Sequence, residues 1–145
     1  WYDIASAREK AKDFTGAETA IQKVLLLQPD NAQALNFLGY LYADYNRKAD
    51  EAVPLLKKAL ALDPENGFIM DSLGWAYYRI GSLDSARVEL EQAIQASGED
   101  PTILEHLGDV YAAMKRMPEA KARYRRSLEI KPDNPPLKAK LEKLR

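Results

Sequence analysis

Leu73-Gly74-Trp75-Ala76-Tyr77 has two near-copies in the same chain, Leu38-Gly39-Tyr40-Leu41-Tyr42 and Leu107-Gly108-Asp109-Val110-Tyr111. The three glycines lie 35 and then 34 residues apart. A period of that size marks stacked supersecondary units, none of which can bury its apolar face without a neighbour.

Seven residues before the leucine of each copy stand Asn31, Asn66 and Asp100, the last followed by Pro101. Asn and Asp side chains accept from the free N–H groups of a helix start, and Pro suits the first helical position, so a helix is expected to open at each mark. About twelve residues beyond each glycine comes Ala52, Ala86 or Ala120, inside a second apolar pattern: Val53-Leu56-Leu60, Ala86-Leu90-Ala93-Ile94 and Ala120-Tyr124-Leu128. That is the spacing of one helical face. These second helices should end near Pro64, Gly98 and Pro132. Ala17-Ile21-Val24-Leu25 before Pro29 has the same form, and Trp1-Ile4-Ala5-Arg8 fits the helix that would precede it.

Glycine inside a helix costs roughly 1 kcal/mol against alanine, so its recurrence at one slot calls for a packing reason. The expectation is that Ala5, Gly39, Gly74 and Gly108 face Ala17, Ala52, Ala86 and Ala120 where paired helices cross. Pro54 is expected near the first turn of its helix, where a missing N–H costs least. After Pro132, the stripe Leu137, Leu141, Leu144 describes a short amphipathic helix closing the end of the array.

These residues resemble the tetratricopeptide repeat, a helix-turn-helix unit of about 34 residues with a Trp-Leu-Gly-Tyr…Ala…Phe…Ala…Pro pattern. The resemblance covers the whole chain in four copies. Its departures are one extra residue in the turn from Asn46 to Asp50, and Ser127 where the family has alanine. It implies an all-α, right-handed superhelical solenoid in one domain. The repeats would run over approximately 1–31, 32–66, 67–100 and 101–134, with a capping helix over 135–145. The chain opens on Trp1 rather than methionine and reads as a piece of something longer. The phrases around Gly74 and Gly108 resemble bacterial members, some of which are envelope lipoproteins that recruit proteases or assembly machinery.

The resemblance also implies a site. In tetratricopeptide arrays the first helices line the concave side, and residues three before and one, four and five after the motif glycine point into the groove. Those slots hold Asn36, Tyr40, Ala43 and Asp44, then Asp71, Trp75, Tyr78 and Arg79, then Glu105, Asp109, Ala112 and Ala113, with Phe68 half a turn ahead of Asp71. Such a groove would be aromatic in the middle and acidic along much of its length. It would suit a peptide or helix with apolar anchors and nearby Lys or Arg. The competing reading packs Tyr40, Trp75 and Tyr78 between repeats. Family members that clamp the C-terminal carboxylate of heat-shock chaperones use Lys and Asn three before and one after the glycine. The carboxylates present at those slots argue against that role.

Other chemistry finds little support. Cysteine is absent, which excludes thiol nucleophiles and cysteine-ligated metal sites. His106 is the one histidine, and with Glu105 and Asp109 it forms a polar trio expected to face solvent or the groove rather than a metal. No Gly-x-Ser-x-Gly elbow activates a serine, and Ser82 reads as a helix cap or turn residue. No glycine-rich loop cradles phosphate. No cofactor, metal or small-molecule substrate is therefore expected, and the chain is read as non-enzymatic.

The net charge of −1 conceals a segregation. Residues 1–110 carry 10 Lys or Arg against 18 Asp or Glu, whereas residues 111–145 carry 11 against 4. The basic run includes Arg123, Arg125, Arg126, Lys131, Lys138, Lys140, Lys143 and Arg145. It is read first as a solvated face with cations near helix C-termini. The alternative is a surface for anionic lipid or nucleic acid, although aromatic interleaving for base stacking is missing. Self-association through an uncapped N-terminal end or through the oppositely charged ends is a further expectation. The leading reading is a protein-interaction scaffold or adaptor; the alternative is the substrate-recognition array of a larger enzyme.

Overall fold

The computed structural model describes residues 2–10, 13–45 and 48–144. Trp1, Asn46 of the lengthened turn and Arg145 of the basic run lie outside them. The described chain forms α1 (Tyr2–Lys10), α2 (Phe14–Leu27), α3 (Ala32–Tyr45), α4 (Ala49–Leu62), α5 (Gly67–Arg79), α6 (Leu83–Ser97), α7 (Pro101–Ala113), α8 (Met117–Ile130) and α9 (Pro135–Lys143). Among the described residues no helix is long and apolar enough to cross a membrane.

Side-chain caps open α3, α5, α7 and α9, and Asp13 caps α2 by accepting from the Gly16 amide at 3.0 Å. Asn31 accepts from the Ala34 amide at 3.0 Å, and Asn66 from those of Phe68 and Ile69 at 2.9 and 3.2 Å. Asp100 accepts from Thr102 and Ile103, and Asn134 from Leu137. Each such cap is worth about 1 kcal/mol. The second helices α4, α6 and α8 open on Lys48, Ser82 and Arg116 with no side-chain capping bond. Ser82 therefore takes the cap position, but its hydroxyl does not cap, and packing of the apolar face must hold these helices. Seven residues after the motif glycine the turn needs a left-handed residue. Gly81 supplies it at φ 86°, and Lys115 adopts it at φ 64° against its own preference.

Helices pair as α1/α2, α3/α4, α5/α6 and α7/α8, and each pair stacks on the next. The first helices α3, α5 and α7 also pack on one another, and no pair of second helices does so to a comparable extent. The first helices therefore form the inner, shorter arc of the solenoid. Ala17, Ile21, Leu38, Leu56 and Leu73 belong to one buried cluster; Leu90, Ile103, Leu107, Tyr124 and Leu137 belong to a second. Leu141 and Leu144 of α9 lie against the second cluster, so the apolar stripe of the capping helix is spent on α7 and α8.

One sequence expectation is extended and one corrected. The motif glycines sit beneath large side chains, and at Gly74 the small residue of the partner helix is also close, since a Cβ there would lie 3.3 Å from the Ala86 carbonyl oxygen. A Cβ on Gly39 would lie 2.5 Å from Leu56 Cγ, on Gly74 2.7 Å from Leu90 Cγ, and on Gly108 2.5 Å from Tyr124 Cδ1. The missing side chain makes room for the residue four positions after the small one, and Ala52, Ala86 and Ala120 are buried alongside. Pro54 lies in the second turn of α4, because the helix already starts at Ala49. The carbonyl of Asp50 thereby loses its usual helical donor, a cost softened by the exposure of that residue.

Candidate functional site

The inner face is built by α3, α5 and α7, and its centre is aromatic. Trp75 of α5 stacks on Tyr78 with ring centroids 4.9 Å apart, and on His106 of α7 at 4.2 Å. The Arg79 guanidinium carbon lies 5.9 Å from the Trp75 ring. Trp75, Tyr78 and Arg79 all keep partial exposure, so the rings are both packed between repeats and reachable. The indole N–H of Trp75 is shielded and has no acceptor.

His106 departs from the polar trio. It is 8% exposed, and its Nδ1 lies 2.8 Å from Oδ1 of Asp71 across the α5/α7 junction. Burial pushes its pKa down, but the Asp71 carboxylate, helped by Asp109 and Glu105, outweighs this and holds it above the ordinary histidine range. Asp71 is consequently a buried structural partner rather than an exposed slot of the groove. The reason is register: His106 sits two residues before its motif glycine and so faces back toward α5.

Glu105 and Asp109 are committed elsewhere. Lys140 of α9 reaches Glu105 at 2.7 Å and both Asp109 oxygens at 3.2 and 3.3 Å. Asn134 also donates to Glu105, and the Tyr124 hydroxyl to Asp109 at 2.6 Å. Burial tends to lower the Lys140 pKa, but the two carboxylates raise it overall. Burial and the Asp109 acceptor push the Tyr124 phenol well above its usual range.

The inner face is therefore not acidic along its length, as the slot residues alone imply. Toward α1 and α3 lie Glu9 and Asp44, acids with no ion pair among the described residues. There Tyr40 is pushed above the usual phenol range by burial first, then by the negative charges of Asp44, Asp71 and Glu9. Asn36 beside them has a shielded Oδ1 with no donor. Phe68 is 56% exposed at the start of α5. Between α7 and α9 opens a pocket of about 440 Å³ bordered by Tyr78, Asp109, Ala112 and Ala113, which brings slots of the third and fourth repeats together under the capping helix.

Sequence reasoning missed Lys140 and Asn134 as members of this face, and read His106 as facing solvent or the groove, not as the buried partner of Asp71. The signal was near-periodic: Asp71 to His106 and Glu105 to Lys140 are both 35 residues apart, one more than the 34 between Gly74 and Gly108. Among the described residues no three His, Asp or Glu side chains are grouped to hold a metal ion.

Two models of the tetratricopeptide repeat match the sequence, one over residues 2–67 and the other over 45–93 and 81–144. The chain belongs to the tetratricopeptide-repeat family. It is 40% identical over 108 residues to the TPR repeat-containing protein PA4667 of Pseudomonas aeruginosa, a match covering 74% of this chain and 18% of that protein. It is 27% identical to human tetratricopeptide repeat protein 7A over 94% of this chain and 16% of that one. The chain thus spans less than a fifth of the length of these curated relatives. The solenoid of TTC0263, a thermophilic TPR protein of Thermus thermophilus, superposes with TM-score 0.87 at 23% identity, over 99% of this chain and 78% of that one. The first TPR domain of RPAP3, solved bound to the HSP90 peptide SRMEEVD, superposes with TM-score 0.72 at 26% identity, over 78% and 89% of the two chains. Tetratricopeptide proteins are in general non-catalytic interaction scaffolds, some of them peptide-binding.

Proposed function

We propose that this tetratricopeptide array is an adaptor whose inner face docks an extended or helical segment of a partner protein, without catalysis of its own. The observation that carries this reading is the stack of partly exposed Trp75 on partly exposed Tyr78 and buried His106, with Arg79 over it, at the centre of the inner arc. Partly buried aromatic side chains beside an arginine are the residue types that dominate binding energy at protein interfaces. The partner's apolar side chains rest on this stack, and its Lys or Arg residues face Asp44 and Glu9, two acids with no cation paired to them among the described residues.

The HSP90 ligand of RPAP3 does not transfer. The slots three before and one after the glycines hold Asn36 and Tyr40, Asp71 and Trp75, Glu105 and Asp109. None of these is a cation for a terminal carboxylate. A second reading draws on the length of the curated relatives: the same face presents a substrate to a catalytic domain carried elsewhere on a longer polypeptide.

Panning a displayed peptide library on the chain tests the proposal. Selected peptides are expected to combine apolar and basic residues, and to bind Trp75→Ala roughly thirtyfold more weakly, about 2 kcal/mol. Equal binding to a Trp75→Ala, Tyr40→Ala variant that keeps its helical melting transition rejects the inner face as the recognition site.

A further inference from the structure

We infer that the pocket between α7 and α9 is a second, distinct subsite that takes an apolar side chain flanked by carboxylates from a partner protein. It rests on the inner-face reading for its partner and shares Tyr78 with it, but its remaining residues are separate. Tyr78, Ala112, Ala113, Met117, Tyr124 and Leu144 supply an apolar lining to a volume of about 440 Å³, within the range of small-ligand sites. Two consecutive small residues of the lining, partly exposed Ala112 and exposed Ala113, leave the site open where a larger pair would fill it. The cap covers one side only, so the site exists because α9 stands where a further repeat would otherwise pack.

Charge decides what enters. Asp109 borders the pocket but is matched by the Tyr124 hydroxyl and by Lys140, and Lys140 is in turn spent on Asp109 and Glu105. Lys143, on the rim, has no carboxylate partner among the described residues. Lys115 and Arg116 form the turn between Ala113 and Met117, both of which line the site. They too are exposed, with no acid paired to them. Of the charged residues that line the pocket, the one left without a partner among the described residues is thus a cation, Lys143, within a segment, residues 111–145, whose 11 cations exceed its 4 acids. An apolar side chain carried next to Asp or Glu satisfies both lining and rim. A nucleic acid strand or an anionic lipid headgroup satisfies the rim alone, and would bring phosphate toward Asp109.

The inner face then has a polarity. Basic residues of a bound segment lie toward Asp44 and Glu9, its apolar centre on Trp75, and its acidic end over the pocket. This orients a partner in one direction only.

The test uses the whole chain and two acetylated, amidated tripeptides, Leu-Glu-Glu and Leu-Lys-Lys, followed by amide proton–nitrogen correlation spectra. The acidic peptide is expected to move the amides of Ala112, Ala113 and Leu144 and to saturate in the millimolar range, with the basic peptide at least about fivefold weaker. Lys143→Glu, an exposed change that leaves the fold intact, should weaken the acidic peptide by about fivefold and erase the preference. Ala113→Phe should abolish the shifts by filling the site. Equal shifts from both peptides, shifts confined to other residues, or unchanged binding to Ala113→Phe overturn the inference. So does displacement of the acidic peptide from these amides by oligo-dT or by phosphatidylserine vesicles, which assigns the rim to phosphate. Trp75→Ala separates the two readings. If it loses panned peptides yet keeps the tripeptide shifts, both stand. If it keeps the panned peptides while the tripeptide still binds, the inner-face reading fails and the pocket survives alone.

Discussion

At the α5/α7 junction a carboxylate three residues before a motif glycine, Asp71, meets His106; at the α7/α9 junction the equivalent Glu105 meets Lys140. Distance and register match, at 2.8 and 2.7 Å across 35 residues, but the surroundings differ. The Asp71 and His106 side chains are each 10% exposed, and the imidazole is stacked on Trp75. Lys140 is 41% exposed and shared between two acids. Inside the array no water can replace a lost partner, so the pair is a structural latch; at its edge solvent screens the charges and the contact can exchange. The α3/α5 junction has neither. Its corresponding positions hold Asn36 and Ser72, and the Ser72 hydroxyl turns back to the Phe68 carbonyl. There α3 and α5 pack more closely than α5 and α7 do, so backbone proximity replaces the side-chain bridge.

Removing one member of the buried pair is the strongest way to break this contrast. Asp71→Ala strands His106 and is expected to cost about 3 kcal/mol in urea unfolding. A loss below about 1 kcal/mol would mean that the interior pair is no more a latch than the exposed one. Titration sharpens the same point. The folded-state pKa of His106 lies above its ordinary value of 6.5, so its contribution is complete below pH 6.5 and is lost as pH rises through the folded value. The groups facing it are Asp71 on α5, Glu105 and Asp109 on α7, and Lys140 of α9, which holds the last two. Stability should therefore fall above pH 6.5 by up to about 1.4 kcal/mol per pH unit, and His106→Gln should flatten that slope. At the outer junction, Lys140→Ala should cost about 1 kcal/mol or less, and the difference should shrink in about 1 M salt. A salt-independent loss of the size expected for Asp71→Ala would erase the distinction. The smallest effect is expected at α3/α5. Asn36→Leu removes a shielded oxygen that has no donor, and should be neutral or stabilising by less than about 1 kcal/mol in thermal unfolding.

Much of the fold was legible because it is written locally. Asn31, Asn66 and Asp100 announce helix starts through bonds that span two or three residues, and the capping helix shows its stripe within one short stretch. What lay between repeats was harder. Spacing pairs small residues with small ones, and Gly74 does lie near Ala86, but spacing does not show that the same glycine also makes room for Leu90. The candidate site divided along the same line. Trp75 and Tyr78 lie on the inner arc with their slots. Asp71, Glu105 and Asp109 were read as free acids because their partners, His106 and Lys140, stand on the next helix of the layer, beyond any local pattern. The spacing that reveals those partners lies close to the repeat period.

The imidazole wedged between Asp71 and Trp75 has a geometric consequence beyond its charge. It fills the wider gap between the two halves of a coil, and a coil carries any small angle set at one turn into every turn beyond it. The thickness of that single ring therefore helps to decide where the two extremities of the protein point, and so how far apart it holds whatever is attached to them.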